Sequence, residues 1–215
     1  MKTIILNGSP KGDSKKCNSQ IFAEKFVKNM KNPCEIKCIA DESPKELSQY
    51  TEKFETLIII LPLFIHAMPG ILMKFIEKIK PATTKNKYIG FIVQAGFIET
   101  EQHKFVERYF EDLAKQLNYN YLGTVKKGEA AGIYMYPRMF KKVLQLISDL
   151  GVAYEETHTF DREIVKKLGQ PYELSKFKLI LLRLVNKIGL GNIGWHKMLR
   201  KNNAMDKRLD RPFLN

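Results

Sequence analysis

Cysteine is scarce. The chain has three in 215 residues, an odd number and too few for a disulfide framework. A reducing, cytoplasmic setting is therefore the expectation. Three thiols also fall short of the four that an iron–sulfur cluster takes. Long apolar runs are missing as well. The longest, Leu57 to Ile65, is interrupted by Pro62 and lies far below the ~20 residues of a spanning helix. Near the start, Ile4-Ile5-Leu6 gives way at once to Asn7-Gly8-Ser9-Pro10, too short a core for an export signal. The dinucleotide fingerprint fails, because Gly8 and Gly12 stand alone at the wrong spacing. The nucleotide-triphosphate loop fails too, since Asp13 follows Gly12 where lysine is required. No Gly-x-Ser-x-Gly elbow surrounds Ser9. None of His66, His103, His158 and His196 pairs with another histidine at i, i+4. A zinc-peptidase helix and a serine-hydrolase elbow are thereby excluded.

What is present is ordinary for a folded protein. The chain is 44% hydrophobic and 27% charged, which suits one sizeable core. The net charge of +13 is unevenly spread. Residues 176–215 hold ten Lys/Arg against two Asp/Glu, a net of +8. Such a field fits a phosphorylated small molecule, nucleic acid or an anionic membrane, and equally a merely solvated basic face.

Apolar periodicity alternates between strand and helix. Strands are expected at 2–6, 35–40, 56–61, 88–94 and 121–125. The run Thr56 to Leu61 is unbroken and aliphatic, as a strand covered on both faces requires. Helices are expected at 18–30, 44–54, after Pro69-Gly70, across Val106 to Leu117, and at 138–150 with Gly151 as the stop. This interleaving predicts an α/β, doubly wound parallel sheet. After a short helix at 161–168 the rhythm ends. Ser175 to Leu190 carries a wide apolar stripe, and a basic tail with Trp195 follows. Residues 171–215 are accordingly read as a helical extension of a domain spanning 1–170.

The first strand–helix loop runs Gly8-Ser9-Pro10-Lys11-Gly12-Asp13-Ser14-Lys15-Lys16-Cys17-Asn18-Ser19-Gln20. Small, hydroxylated and basic residues at a helix N-terminus form a phosphate-binding device. Two further segments stand at strand ends: Pro62-Leu63-Phe64-Ile65-His66-Ala67-Met68-Pro69-Gly70 with Lys74, and Gln94-Ala95-Gly96-Phe97 with Glu99. Together these resemble the flavodoxin-like NAD(P)H-dependent FMN reductases. The resemblance implies strand order 2-1-3-4-5. It implies that Ser9, Lys11, Asn18, Ser19 and Gln20 hold the FMN phosphate. It sets Pro62, Leu63, Phe64 and Ile65 beside the isoalloxazine, with Phe64 where the family often has tyrosine. Gln94, Ala95, Gly96 and Phe97 then meet the pyrimidine edge.

The activity implied is an FMN-dependent oxidoreductase that passes hydride from NADPH or NADH to flavin and on to a quinone, a nitroaromatic or another flavin. No metal and no protein acid or base is expected, and a homodimer is. Two alternatives stay open: a flavodoxin-like electron carrier, and a cofactor-free module that binds polyanions. No nucleic-acid partner is expected. The apolar stripe at 177–190 is assigned first to core or dimer packing, with pocket cover or peripheral membrane contact as further options. Tyr134-Met135-Tyr136-Pro137-Arg138, after the fifth strand, is a candidate pocket rim with Arg138 placed for a nucleotide phosphate, and helix-entry packing is the equal alternative.

Overall fold

The computed structural model describes residues 1–189 and 192–211. Five strands, β1 (Thr3–Asn7), β2 (Glu35–Cys38), β3 (Thr56–Pro62), β4 (Tyr88–Gln94) and β5 (Asn120–Lys127), form one parallel sheet in the order β2-β1-β3-β4-β5. Every residue of β1 and β3 is buried, which explains the unalternating aliphatic runs. Ile4, Leu6, Leu57, Ile59, Leu61 and Phe91 face one core, and Ile5, Ile58, Ile60, Ile92 and Val125 face the other.

The helices cover both faces. On the first lie α2 (Pro44–Thr51), α3 (Gly70–Ile76) and α4 (Lys104–Gln116), inserting Leu47, Leu72, Phe75 and Phe110. Phe91 and Phe110 stack there with centroids 3.8 Å apart. On the second lie α1 (Asn18–Val27), α5 (Lys141–Thr157) and α6 (Arg162–Leu168), with Phe22, Phe26, Leu144, Ile147 and Tyr154. The strand order reverses between β1 and β3, the chain winding outward one way to β2 and the other way to β5, so the loops after β1 and β3 diverge and leave a crevice at the carboxyl edge.

One expectation from the sequence is overturned here. Gly151 does not stop the fifth helix; α5 continues to Thr157. A Cβ at Gly151 would stand 1.8 Å from the Phe26 carbonyl oxygen. The glycine is the point where α5 crosses α1, and its bare backbone allows the close approach. The left-handed residue that ends the helix is His158, at φ 54°.

The chain divides into two compact units, Met1–Glu173 and Leu174–Asn215. Residues 171–172 stay with the first, because Thr100 N donates to the Pro171 carbonyl and Glu101 N to the Tyr172 carbonyl. The second unit holds α7 (Lys176–Lys187) and α8 (Ile193–Lys201). Among the described residues no helix is long and apolar enough to cross a membrane.

Candidate functional site

At the carboxyl edge of the sheet, the exits of β1, β3, β4 and β5 enclose an open cleft of about 230 Å³. Ser9, Lys11, Asn18, Pro62, Leu63, Phe64, Gln94, Ala95 and Gly96 line it. Lys16, Ala131 and Tyr134 complete the wall. Three larger concavities, of about 760, 610 and 290 Å³, lie along β5 with α5 and α6, between α1 and α5, and between the β3 exit loop and the start of α4. None of the three gathers the exits of several strands at the N-terminus of α1, so the smaller cleft is the chemically informative one.

The β1 exit is shaped by Asn7, fully buried at the strand end. Its Oδ1 accepts from Ser9 N (3.0 Å). Its Nδ2 donates to the Gly12 carbonyl (2.8 Å) and to Gln20 Oε1 (3.0 Å). Gly12 sits at φ +56°, and a Cβ there would come within 2.9 Å of the Asp41 carboxylate, so only glycine fits this turn. The loop leads into α1, which has no side-chain cap. Its first helical amides, those of Asn18, Ser19 and Gln20, find no acceptor among the described residues. Free N–H groups at a helix start carry partial positive charge and accept an anion readily.

Ser19 is fully buried in that first turn, and its Oγ has no hydrogen-bond partner. A buried orphan hydroxyl is rare in a folded chain. Ser19 does not itself line the cleft; it follows Asn18, which does, in the turn whose amides are unpaired, with Lys11 and Lys16 on the cleft wall, and this turn fits a site completed by a phosphate-bearing ligand.

Other residues named from the sequence take different roles. Gln20 does not line the cleft; it accepts from Asn7 and donates to Glu24 Oε1 (3.1 Å), bracing the loop from behind. Asn18 lines the cleft, yet its amide also ties in the β5 exit. Nδ2 donates to the Ala130 carbonyl (2.8 Å), and Oδ1 accepts from Tyr134 N (3.1 Å). Arg138 lies outside the cleft, in the α1–α5 concavity with Lys25, Lys28 and Lys141.

The β3 exit makes a tight reversal. Phe64 and Ala67 exchange backbone hydrogen bonds, and Ile65 and His66 between them both have positive φ, 47° and 65°. Left-handed backbone is uncommon for a β-branched residue and stores strain. Ile65 is 88% exposed at the tip and does not line the cleft, whereas Phe64 does. His66 stacks on Phe97, centroids 6.1 Å apart, and its Nδ1 lies 3.3 Å from the Gln102 carbonyl. Phe97 therefore flanks the cleft beside the β3 loop instead of lining it.

Leu63 N donates to the Gln94 carbonyl, Ala95 N to the Lys127 carbonyl and Ala130 N to the Ala95 carbonyl. These bonds lock three strand exits together. A Cβ at Gly96 would meet only Ala131 Cβ, at 3.5 Å. That glycine leaves a flat backbone surface open on the cleft.

Two buried groups carry no signal in the sequence. Lys127 is buried at the end of β5, and burial pulls its ammonium below the ordinary lysine range. His103 is fully buried at the start of α4. Its Nδ1–H donates to the Thr100 carbonyl, its Nε2 has no partner, and burial holds its pKa down to about 4. Tyr134, in the segment after β5 expected as a pocket rim, lines the cleft, and Lys11 Nζ lies 5.5 Å from its ring. The cysteines are passive. Cys17 and Cys38 are buried, and burial pushes the Cys34 and Cys38 thiols up to about 11. Among the described residues no group of His, Cys, Asp and Glu could hold a metal ion.

No family model and no curated protein matches the chain. Solved structures do. An NADPH-quinone reductase from P. pentosaceus is 19% identical, with 71% of this chain and 98% of that one covered at a TM-score of 0.56. The general stress protein 14 of Treponema denticola, in complex with FMN, is 13% identical over 73% and 98%, with a TM-score of 0.56. An NADH:FMN oxidoreductase in its apo form is 14% identical over 80% and 97%, with a TM-score of 0.53. At these identities the likeness establishes architecture: with its five parallel strands in the order 2-1-3-4-5, the chain has the flavodoxin-like fold.

Proposed function

We propose that the protein is an FMN-dependent NAD(P)H oxidoreductase that reduces a small acceptor such as a quinone, a nitroaromatic or a flavin. One observation carries the reading. The orphaned Ser19 hydroxyl and the unpaired α1 amides belong to the helix turn that contributes Asn18 to a cleft walled by backbone and aromatic surface. Neighbours of the same fold include an NADPH-quinone reductase and an NADH:FMN oxidoreductase, which supports it.

When bound, FMN supplies the redox chemistry, taking hydride from the nicotinamide and delivering electrons to the acceptor. The chain's own residues hold and orient. Ser9, Ser19 and the first α1 amides donate to the phosphate, and Lys11 and Lys16 balance its charge. Asn18 keeps the β5 exit against this cradle, so Tyr134 closes the wall. Pro62, Leu63, Phe64, Ala95 and Gly96 give a planar apolar ring a surface with little polar competition. The exposed faces of Phe64 and Phe97 leave room for a second flat molecule to stack from the solvent side.

An electron carrier would share the FMN site but oxidise no nicotinamide. Anaerobic addition of NADPH or NADH to the FMN-loaded protein separates the two. Bleaching of the flavin absorbance within the mixing time supports the reductase, and an unchanged spectrum refutes it.

A further inference from the structure

The second unit is unlike the first. No residue of α7 or α8 is buried. Along α7, Phe177, Ile180, Leu181, Leu184 and Ile188 fall at helical spacing on one stripe, and Phe177 is 75% exposed. Lys176, Arg183 and Lys187 border that stripe on one side and Lys178 on the other. In α8, Trp195 and Met198 are exposed beside Lys197, Arg200 and Lys201. Residues 176–205 hold seven Lys/Arg and no Asp/Glu.

We infer that α7 and α8 form a peripheral docking surface for anionic lipid, with the apolar stripe of α7 seated among headgroups and acyl chains. Charge selects the occupant. A second copy would press seven cations against seven with no anion between them, which is repulsive. Nucleic acid would satisfy the lysines but gain nothing from the large apolar side chains between them. An anionic bilayer takes both: acyl chains for the stripe, and phosphates for lysines whose stems reach outward along it. Geometry sets the mode. The 12 residues of α7 extend about 18 Å against a hydrocarbon core of ~30 Å, so the helix lies in the interface and does not cross. The inference is independent of the flavin reading.

Trp195 is the only tryptophan and reports on α8 directly. The full-length protein is titrated with vesicles of phosphatidylcholine alone and of phosphatidylcholine mixed with phosphatidylglycerol. Only the mixed vesicles are expected to shift Trp195 emission to the blue and to sediment the protein, and added salt weakens both effects. Replacing Lys176, Lys178 and Lys187 together by glutamine lowers the partition coefficient by about a hundredfold. Leu181→Glu with Leu184→Glu abolishes binding, while helix content and the urea midpoint stay at the parent level. The inference is overturned by absence of binding to the mixed vesicles. It is equally overturned if heparin is bound as tightly as the vesicles with no blue shift, or if the blue shift follows protein concentration without lipid and tracks a dimer mass.

Discussion

A single hydroxyl separates a ligand site from a merely polar turn. Ser19 Oγ is buried and unpartnered, so Ser19→Ala removes a desolvated group that nothing in the protein compensates. The variant is expected to be as stable as the parent, or more stable, in denaturant melts without flavin. Its affinity for FMN is expected to fall roughly tenfold. Loss of both stability and affinity would instead mark Ser19 as ordinary packing. His103 makes the second residue-scale case. Burial holds its folded pKa to about 4, against an ordinary 6.5. Between those values the unfolded chain binds the proton more readily, so the contribution is intact above pH 6.5 and drains away as pH falls toward 4. The full difference is about 3 kcal/mol. In urea melts at pH 7 and pH 4.5, His103→Gln should flatten the acid limb relative to the parent. Parallel pH profiles would show that another group governs it.

Among the elements, the join of α1 and α5 bears most on the site, because α1 presents its N-terminus to the cleft. Gly151 makes that join possible, since a Cβ there would overlap the Phe26 carbonyl. Gly151→Ala is expected to cost about 3 kcal/mol in a denaturant melt and to weaken FMN binding by displacing α1. A fully stable variant would mean that the helices separate easily. The same position shows why element boundaries were only partly legible in the sequence. A lone glycine after an apolar run reads as a helix stop, and only the partner helix reveals a contact point. β3 was legible because burial on both faces leaves one unbroken aliphatic stretch. β5 runs from Asn120 to Lys127, beyond the expected 121–125, because its polar ends pair with β4 despite weak strand propensity.

At the scale of the whole molecule, the sheet order follows from the strand–helix alternation together with the family resemblance. The carboxyl edge then gathers loops from distant parts of the chain. Most of the cleft was legible because its residues sit directly after predicted strands. Ala131 was not: it reaches the wall because Asn18 ties its neighbour Ala130, and Tyr134 beyond it, to the α1 start across more than a hundred residues of sequence. Gln20 lies off the cleft although Asn18 lines it, because its amide is held by Asn7 and Glu24, and Arg138 lies in the α1–α5 concavity. The α7 stripe read as packing surface because apolar periodicity marks amphipathicity without naming what covers it.

The central claim is that the β1–α1 cradle grips a monophosphate and so holds the flavin in the cleft. Titrating flavin-free protein with FMN and, separately, with riboflavin tests it most directly, because the two ligands differ only in the phosphate. Two charge-assisted hydrogen bonds correspond to a preference for FMN of roughly a hundredfold. Equal affinity for the two flavins, or no quenching of fluorescence by either, would contradict the claim.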